Sequence, residues 1–330
     1  MKHRLVTSAA AIAVIIAASV TLTSATAGAS LKRPAVTATG LPAFAVVNQA
    51  SSLQVFNTST GAAAGTLKAP WGLQFEGVAT GGTSRTFLAY ANPIAVTAAC
   101  HGYYYRFQLT ATGKPSGLTL LRSIPGSAAT AIAASPGGGT YTYSAVHCDT
   151  APPNGLIGIS GRAGSHTWAY DLGDDYTFSL AATASGDRLA LSLYAGSGWA
   201  DLLLNTGSRA ATVDGASRVV PAVPYAQTLA ISPGGTTLYA CISQRQTGEL
   251  AAYSAATGKL IRVLHRWTLA PASFYFCQVS ADAAGRVLLA SYSSNLARHP
   301  RLIAVNPQAG TAMTLPVRAD YVNDGVEAAW

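Results

Sequence analysis

The chain has 330 residues, 21 Lys and Arg against 13 Asp and Glu for a net charge of +8, 49% hydrophobic residues, 32 Gly and 16 Pro. Lys and Arg are scattered almost singly from Lys32 to Arg318, which excludes the clustered basic stripe of a nucleic-acid or anionic-membrane face. No heptad and no sustained 3.6-residue stripe follows the N-terminal segment, so the composition suits short strands and turns rather than helices.

The N-terminus, MKHRLVTSAAAIAVIIAASVTLTSATAGAS, has a basic start at Lys2, His3 and Arg4, then an apolar run, then small residues at Ala25 and Ala27. That layout is expected of a secretory signal peptide over residues 1–29, and the run is short for a bilayer span; an uncleaved anchor is the alternative. Removal of Lys2 and Arg4 leaves 19 basic and 13 acidic residues, or +6. A short linker over 30–42 and a single domain over 43–330 are expected to follow.

From Phe44 on, one pattern recurs. FAVVNQ, LQVFN and AGTLK (44–68) read as three strands without a first. Four-strand units follow: FEGVAT to LTLLRSI (75–124), TAIAAS to HTWAYDL (130–172), FSLAATA to a weak strand near Arg218, QTLAIS to KLIRVLH (227–265), and YFCQVS to TAMTLPV (275–317). GVEAAW (325–330) then supplies a first strand alone. Aligning the first corner of each unit at Thr80, Ser135, Ala184, Ser232 and Ser280 gives gaps of 55, 49, 48 and 48 residues. Five complete units plus one composite of the two chain ends predict an all-β, six-bladed β-propeller of four-stranded antiparallel blades, closed by pairing the N- and C-terminal strands. Seven blades is the alternative, with the extra unit hidden in 75–128. Closure removes a long unpaired sheet edge.

SPGGTTLYA (232–240) followed by ELAAYSAATGKLIRVL (249–264) resembles the blade repeat of YVTN-type and WD40-like propellers. The resemblance implies a fold and a habit of binding and carries over no catalytic residue. The Asp usual in such a corner is replaced by Gly234 and Gly137, and Asp282 alone stands near the matching place.

Alternating strand direction puts the tight first-to-second and third-to-fourth turns on one face and the long, varied connections on the other. Function is expected on the loop-rich face, which gathers Trp71, His101, Tyr103, Asp174, Asp175, Trp199, Arg245, Trp267, Arg298 and Asp324 as ligand-binding candidates. Aromatic side chains there suit stacking on a sugar ring or an extended polymer.

Four cysteines allow three connectivities. Cys100 and Cys148 fall in or beside equivalent loops of neighbouring units, and Cys241 lies on a second strand and Cys277 on the next unit's first strand, so these two pairs are expected as disulfides. The rival for the first pair is zinc held by Cys100, His101, His147 and Cys148 with Asp149 behind them, although no tight metal-ligand spacing supports it. DLGDDY (171–176) reads as a solvated turn rather than a calcium loop, and Glu327 is placed to point into the central channel. No hydrolase elbow, zinc-protease motif or phosphate loop occurs. The expectation is a secreted, monomeric, non-catalytic scaffold without cofactor or metal that binds an extracellular protein, cell-wall component or glycan. The alternative is a glycan hydrolase or lyase using carboxylates near the channel, such as Asp174, Asp175, Asp324 and Glu327.

Overall fold

Short apolar strands cut by glycine corners leave the chain one economical way to bury both faces of each sheet, which is to stack the sheets around an axis. A computed structural model describes residues 40–49, 51–94, 101–137, 139–145, 154–160, 166–171, 176–195, 198–220, 226–244, 247–268, 275–293, 301–318 and 327–330. The signal-peptide expectation lies outside these residues, and no described helix is long and apolar enough to cross a membrane.

The chain begins with β1 (Phe44–Gln49), β2 (Ser52–Asn57) and β3 (Ala63–Lys68). The next blade is β4 (Leu73–Thr83), β5 (Thr86–Pro93), β6 (His101–Leu109) and β7 (Pro115–Pro125). It is followed by β8 (Ala128–Ala134), β9 (Thr140–Ala145), β10 (Asn154–Ser160) and β11 (His166–Asp171), then β12 (Tyr176–Ala182), β13 (Arg188–Ala195), β14 (Gly198–Asn205) and β15 (Ser217–Val219). The last two runs are β16 (Ala226–Ile231), β17 (Thr237–Gln244), β18 (Thr247–Ser254), β19 (Leu260–Thr268), and β20 (Tyr275–Ala281), β21 (Val287–Ser293), β22 (Arg301–Asn306), β23 (Thr311–Thr314). Finally β24 (Ala328–Ala329) pairs with β1, giving the order β24-β1-β2-β3.

The described strands thus form six four-stranded antiparallel sheets, five of them continuous in the chain. Their first strands touch in a circle, β4 to β8 to β12 to β16 to β20, with β24 between β20 and β4. Near the axis neighbouring strands approach closely, so β8 (AATAIAA) is built largely of alanine; at the perimeter β7 has only exposed and half-buried positions. Apolar clusters fill the wedges between sheets: Trp168, Tyr143, Leu189 and Leu204 lie between the third and fourth units, and Phe44, Phe75, Phe87 and Phe107 at the first.

Three expectations change. The seven-blade alternative is overturned, because 75–128 holds a single sheet whose β4 and β7 are each 11 residues long; longer strands, not an extra unit, account for the wide first gap. The closing sheet is also thinner than GVEAAW suggests. Pairing covers only Val46↔Ala329 and Val47↔Ala328, so the ring is five continuous blades and one composite sheet with a two-residue inner strand. Lastly, the corner register shifts. Ser135, Thr183, Ser232 and Asp282 donate their N–H groups to Gly139, Arg188, Thr237 and Arg286, so Thr183 and Asp282 take the places assigned to Ala184 and Ser280.

Those corners show why the resemblance breaks at Gly234. In the best unit the Ser232 hydroxyl accepts from the N–H groups of Thr236 and Thr237, and Gly235 turns the chain at φ +70°. At the next corner the Asp282 carboxylate replaces that serine, accepting from Ala284 and Arg286 N–H. Asp282 therefore stands at the serine position rather than at the usual aspartate position.

Candidate functional site

The first strand of each blade has a sheet partner on one side only, so its other edge exposes backbone groups to the axis. Side chains of the preceding blade meet this need at one recurring position. The Ser179 hydroxyl accepts from Leu229 N–H at 2.7 Å, Thr228 from Val279 N–H at 3.1 Å, Gln278 from Ala328 N–H at 2.6 Å, and the Glu327 carboxyl from Val78 N–H at 2.9 Å. The acceptors lie 49, 50 and 49 residues apart in the chain. A second layer joins the ends of second strands to the next blade: Asn48 and Asn92 donate to the carbonyls of Phe75 and Ala129, and Ser192 to that of Ala226.

Around the axis lies a cavity of about 840 Å³, counting its open mouth. Its wall is largely small and aliphatic, from Val78, Ala133, Leu180 and Ala230, and its polar points include Ser179, Gln278, Asp282 and Glu327. Gly82, Pro136, Ala184 and Pro233 rim it, which places this opening among the tight corners and away from the long loops. Glu327 faces it as the sequence suggested, yet its carboxyl is engaged: Oε1 accepts from the Tyr90 hydroxyl at 2.7 Å and Oε2 from Val78 N–H. Burial pushes this carboxyl up to about 8, opposed by those two hydrogen bonds and assisted by the nearby Glu76. Burial, then Glu327, raises the Tyr90 hydroxyl as well.

On the opposite, loop-rich face the described residues present one free aromatic ring. Pro70, Trp71, Gly72 and Leu73 form a tight turn in which Pro70 C=O accepts from Leu73 N–H and Gly72 has φ +78°, a conformation that excludes most side chains. Ile94 N–H donates to Gly72 C=O and ties the turn to the end of β5. Trp71 is fully exposed and Ile94 is 60% exposed. Inward of them the same blade carries an aromatic column: His101 stacks on Tyr103 at 4.6 Å, Tyr103 on Tyr105 at 6.4 Å, and Tyr105 meets Phe75 edge-on.

No protein-family model and no curated protein matches this chain. Solved structures do. TolB from Acinetobacter baumannii superposes with a TM-score of 0.58 at 15% identity, covering 87% of this chain and 66% of that one, so the chain spans about two thirds of this neighbour's length. A chain of the nidogen/laminin complex superposes with a TM-score of 0.54 at 14% identity, covering 87% and 98%. The chain is a β-propeller. At these identities the similarity speaks to the fold alone.

Within the propeller the expected site residues divide. His101 and Tyr103 stack on one another while Trp71 stands exposed in the turn before the same blade, and His101 Nε2 finds no partner among the described residues. Trp267 lies flat over Gly248, where an added Cβ would meet its ring at 2.1 Å, and it packs against the neighbouring core. Trp199 stands on β14 opposite Tyr194. Asp174, Asp175, Arg245, Arg298 and Asp324 lie outside the described residues, as do Cys100 and Cys148 with His147 and Asp149. Cys241 and Cys277 form a disulfide, joining β17 to β20 of the next blade. Sequence reasoning missed Glu76, whose Oε1 accepts from Gln74 at 2.6 Å. A β-bulge between Phe75 and Gly77 sets it apart from the regular pairing, and bulges leave no mark in a hydrophobic pattern.

Proposed function

We propose that the propeller is a non-catalytic binding scaffold of an oxidising, extracytoplasmic compartment, and that its loop-rich face engages a protein, cell-wall or glycan ligand through Trp71. The exposed indole carries this reading. A turn tied by hydrogen bonds to Leu73 and Ile94 N–H holds the ring in solvent, so an incoming partner would lose little conformational entropy in ordering it. Aromatic anchors of this kind dominate binding energies and also stack on sugar rings. The Cys241–Cys277 bridge supports the compartment. The nidogen/laminin structure gives a propeller of this fold within a protein complex, which supports the binding role by analogy.

The described carboxyl groups support the non-catalytic half. Glu327 and Asp282 both line the axial cavity, but Glu327 is held by Tyr90 and Val78 and Asp282 by Arg286 at 2.5 Å, while Asp201 is buried between blades, so none of the three stands free. The test is retention of purified protein on peptidoglycan, on immobilised glycans and on extracellular protein fractions, comparing wild type with Trp71→Ala. Selective loss in the variant supports the reading. Turnover of a glycan by the wild type overturns it in favour of a hydrolase.

A further inference from the structure

We propose that Glu327 makes the seam of the ring a proton-dependent latch: protonated, its carboxyl joins the C-terminal strand to the next blade, and ionised, it loosens that joint. The inference is independent of the ligand-binding reading and rests first on geometry.

β24 is held by little main-chain pairing. Two residues pair with β1, Glu327 C=O accepts from Asn48 N–H at 2.8 Å, and Ala328 N–H donates to the Gln278 side chain. Across the seam to the next blade, β1 contributes the bond from Asn48 to Phe75 C=O, and the C-terminal segment contributes the two made by the Glu327 carboxyl, to Val78 N–H and the Tyr90 hydroxyl. At the equivalent joints the acceptor is a serine, threonine or glutamine, which does not titrate. The closing joint alone among these four uses an acid.

Burial favours its neutral form and outweighs the two hydrogen bonds it accepts, which favour the charge. β24 packs against β1, β4, β20 and β21. β1 (FAVVNQ), β20 (YFCQVSA) and β21 (VLLASYS) contain no Asp, Glu, Lys, Arg or His, and their titratable side chains are Tyr275, Tyr292 and the disulfide-bonded Cys277. β4 contributes Glu76, a like charge, and β5 contributes Tyr90. No described cation compensates an ionised Glu327, and its carboxyl fills the space beside Gly77 so closely that a Cβ there would lie 1.6 Å from Oε2. Ionisation in place would bury an unpaired charge. Opening the seam exposes the carboxylate to water instead.

The sign of the effect follows from linkage. Burial lifts Glu327 from 4.5 to about 8. The closed state therefore binds more protons than the open one across this window, and closure is strongest below it and weakens as pH rises through it. One proton of difference changes the opening constant about tenfold per pH unit.

Hydrogen exchange on the intact chain, corrected for intrinsic rates, reads this directly. The amides of Val78 and Ala328 should lose protection about tenfold per pH unit between roughly pH 5.5 and 7.5, while Tyr239 and Ala252, paired on β17 and β18 away from the seam, should not. Glu327→Gln keeps an acceptor for Val78 and should make the seam amides insensitive to pH. A wild-type slope unchanged in Glu327→Gln overturns the proposal. Should that variant not fold, the wild type still decides: a seam slope equal to that of the distant amides overturns the latch, and a slope confined to the seam upholds it.

Discussion

The carboxyl of Glu327 occupies the volume that a side chain at Gly77 would need: a Cβ built on Gly77 falls 1.6 Å from Glu327 Oε2 and 2.3 Å from Tyr90 Cε1. A residue near the C-terminus thus requires glycine on the first complete blade, some 250 positions earlier in the chain. Gly77→Ala should therefore destabilise the protein by about 1–3 kcal/mol through overpacking, and the loss should shrink in a Gly77→Ala/Glu327→Ala double variant. Chemical denaturation of the four proteins of this cycle measures the coupling.

The side-chain ring predicts a graded set of losses. Thr228 both donates to Cys277 C=O and accepts from Val279 N–H, whereas Ser179 accepts from Leu229 N–H alone. Thr228→Val keeps shape and removes both bonds, leaving buried groups unpaired, and should cost about 2–3 kcal/mol; Ser179→Ala should cost about 1 kcal/mol. Equal, negligible losses in denaturation midpoints would contradict a role for this ring in joining the blades.

The disulfide adds to the same joint. Cys241 and Cys277 are both buried and close a loop of 36 residues between adjacent blades. Reduction, or Cys241→Ala with Cys277→Ala, should lower stability by about 2–4 kcal/mol. Thermal denaturation with and without reductant checks it, and the double variant should show no reductant effect from this bridge.

Asp201 predicts a second pH dependence. It lies buried on β14 beside Ser192, with Oδ1 unpartnered among the described residues, and burial raises its carboxyl from 3.8 to about 7 against the hydrogen bond from Ser192. The folded state again holds its proton longer than the unfolded one, so this contribution is full below about 4 and is lost as pH rises towards 7. Asp201→Asn should flatten stability over that window. It should leave the seam amides of Val78 and Ala328 unaffected, which separates the two carboxyl groups.

The blades were legible because their signals are local: alternating burial along β2 and β6, serine and glycine at SPGGT, and a period close to 48 residues. The pairing of Cys241 with Cys277 could be read once their strands were placed side by side. The ring of Ser179, Thr228, Gln278 and Glu327 was harder, since the position has no fixed residue type and shows itself only when corners are aligned by hydrogen bonds rather than by the letters around Ala184 and Ser280. The surroundings of a rim residue are hidden in the sequence for a related reason. An aromatic near a strand end, such as Trp267, reads the same whether it faces solvent or covers a glycine on its neighbour, and Gly248 decides that case. Trp71 differs because its own turn, Pro70 to Leu73, fixes it outward.

The most direct measurement of the binding role is affinity chromatography of wild type and Trp71→Ala on cell-wall, glycan and extracellular protein ligands, with thermal stability recorded in parallel. The exposed ring packs against little, so the variant should unfold within about 0.5 kcal/mol of the wild type. Retention that falls at least about tenfold, the loss of roughly 1.4 kcal/mol expected of an aromatic anchor, is the result that upholds Trp71 as the contact. Equal retention of both proteins on every ligand, or retention on none, contradicts it.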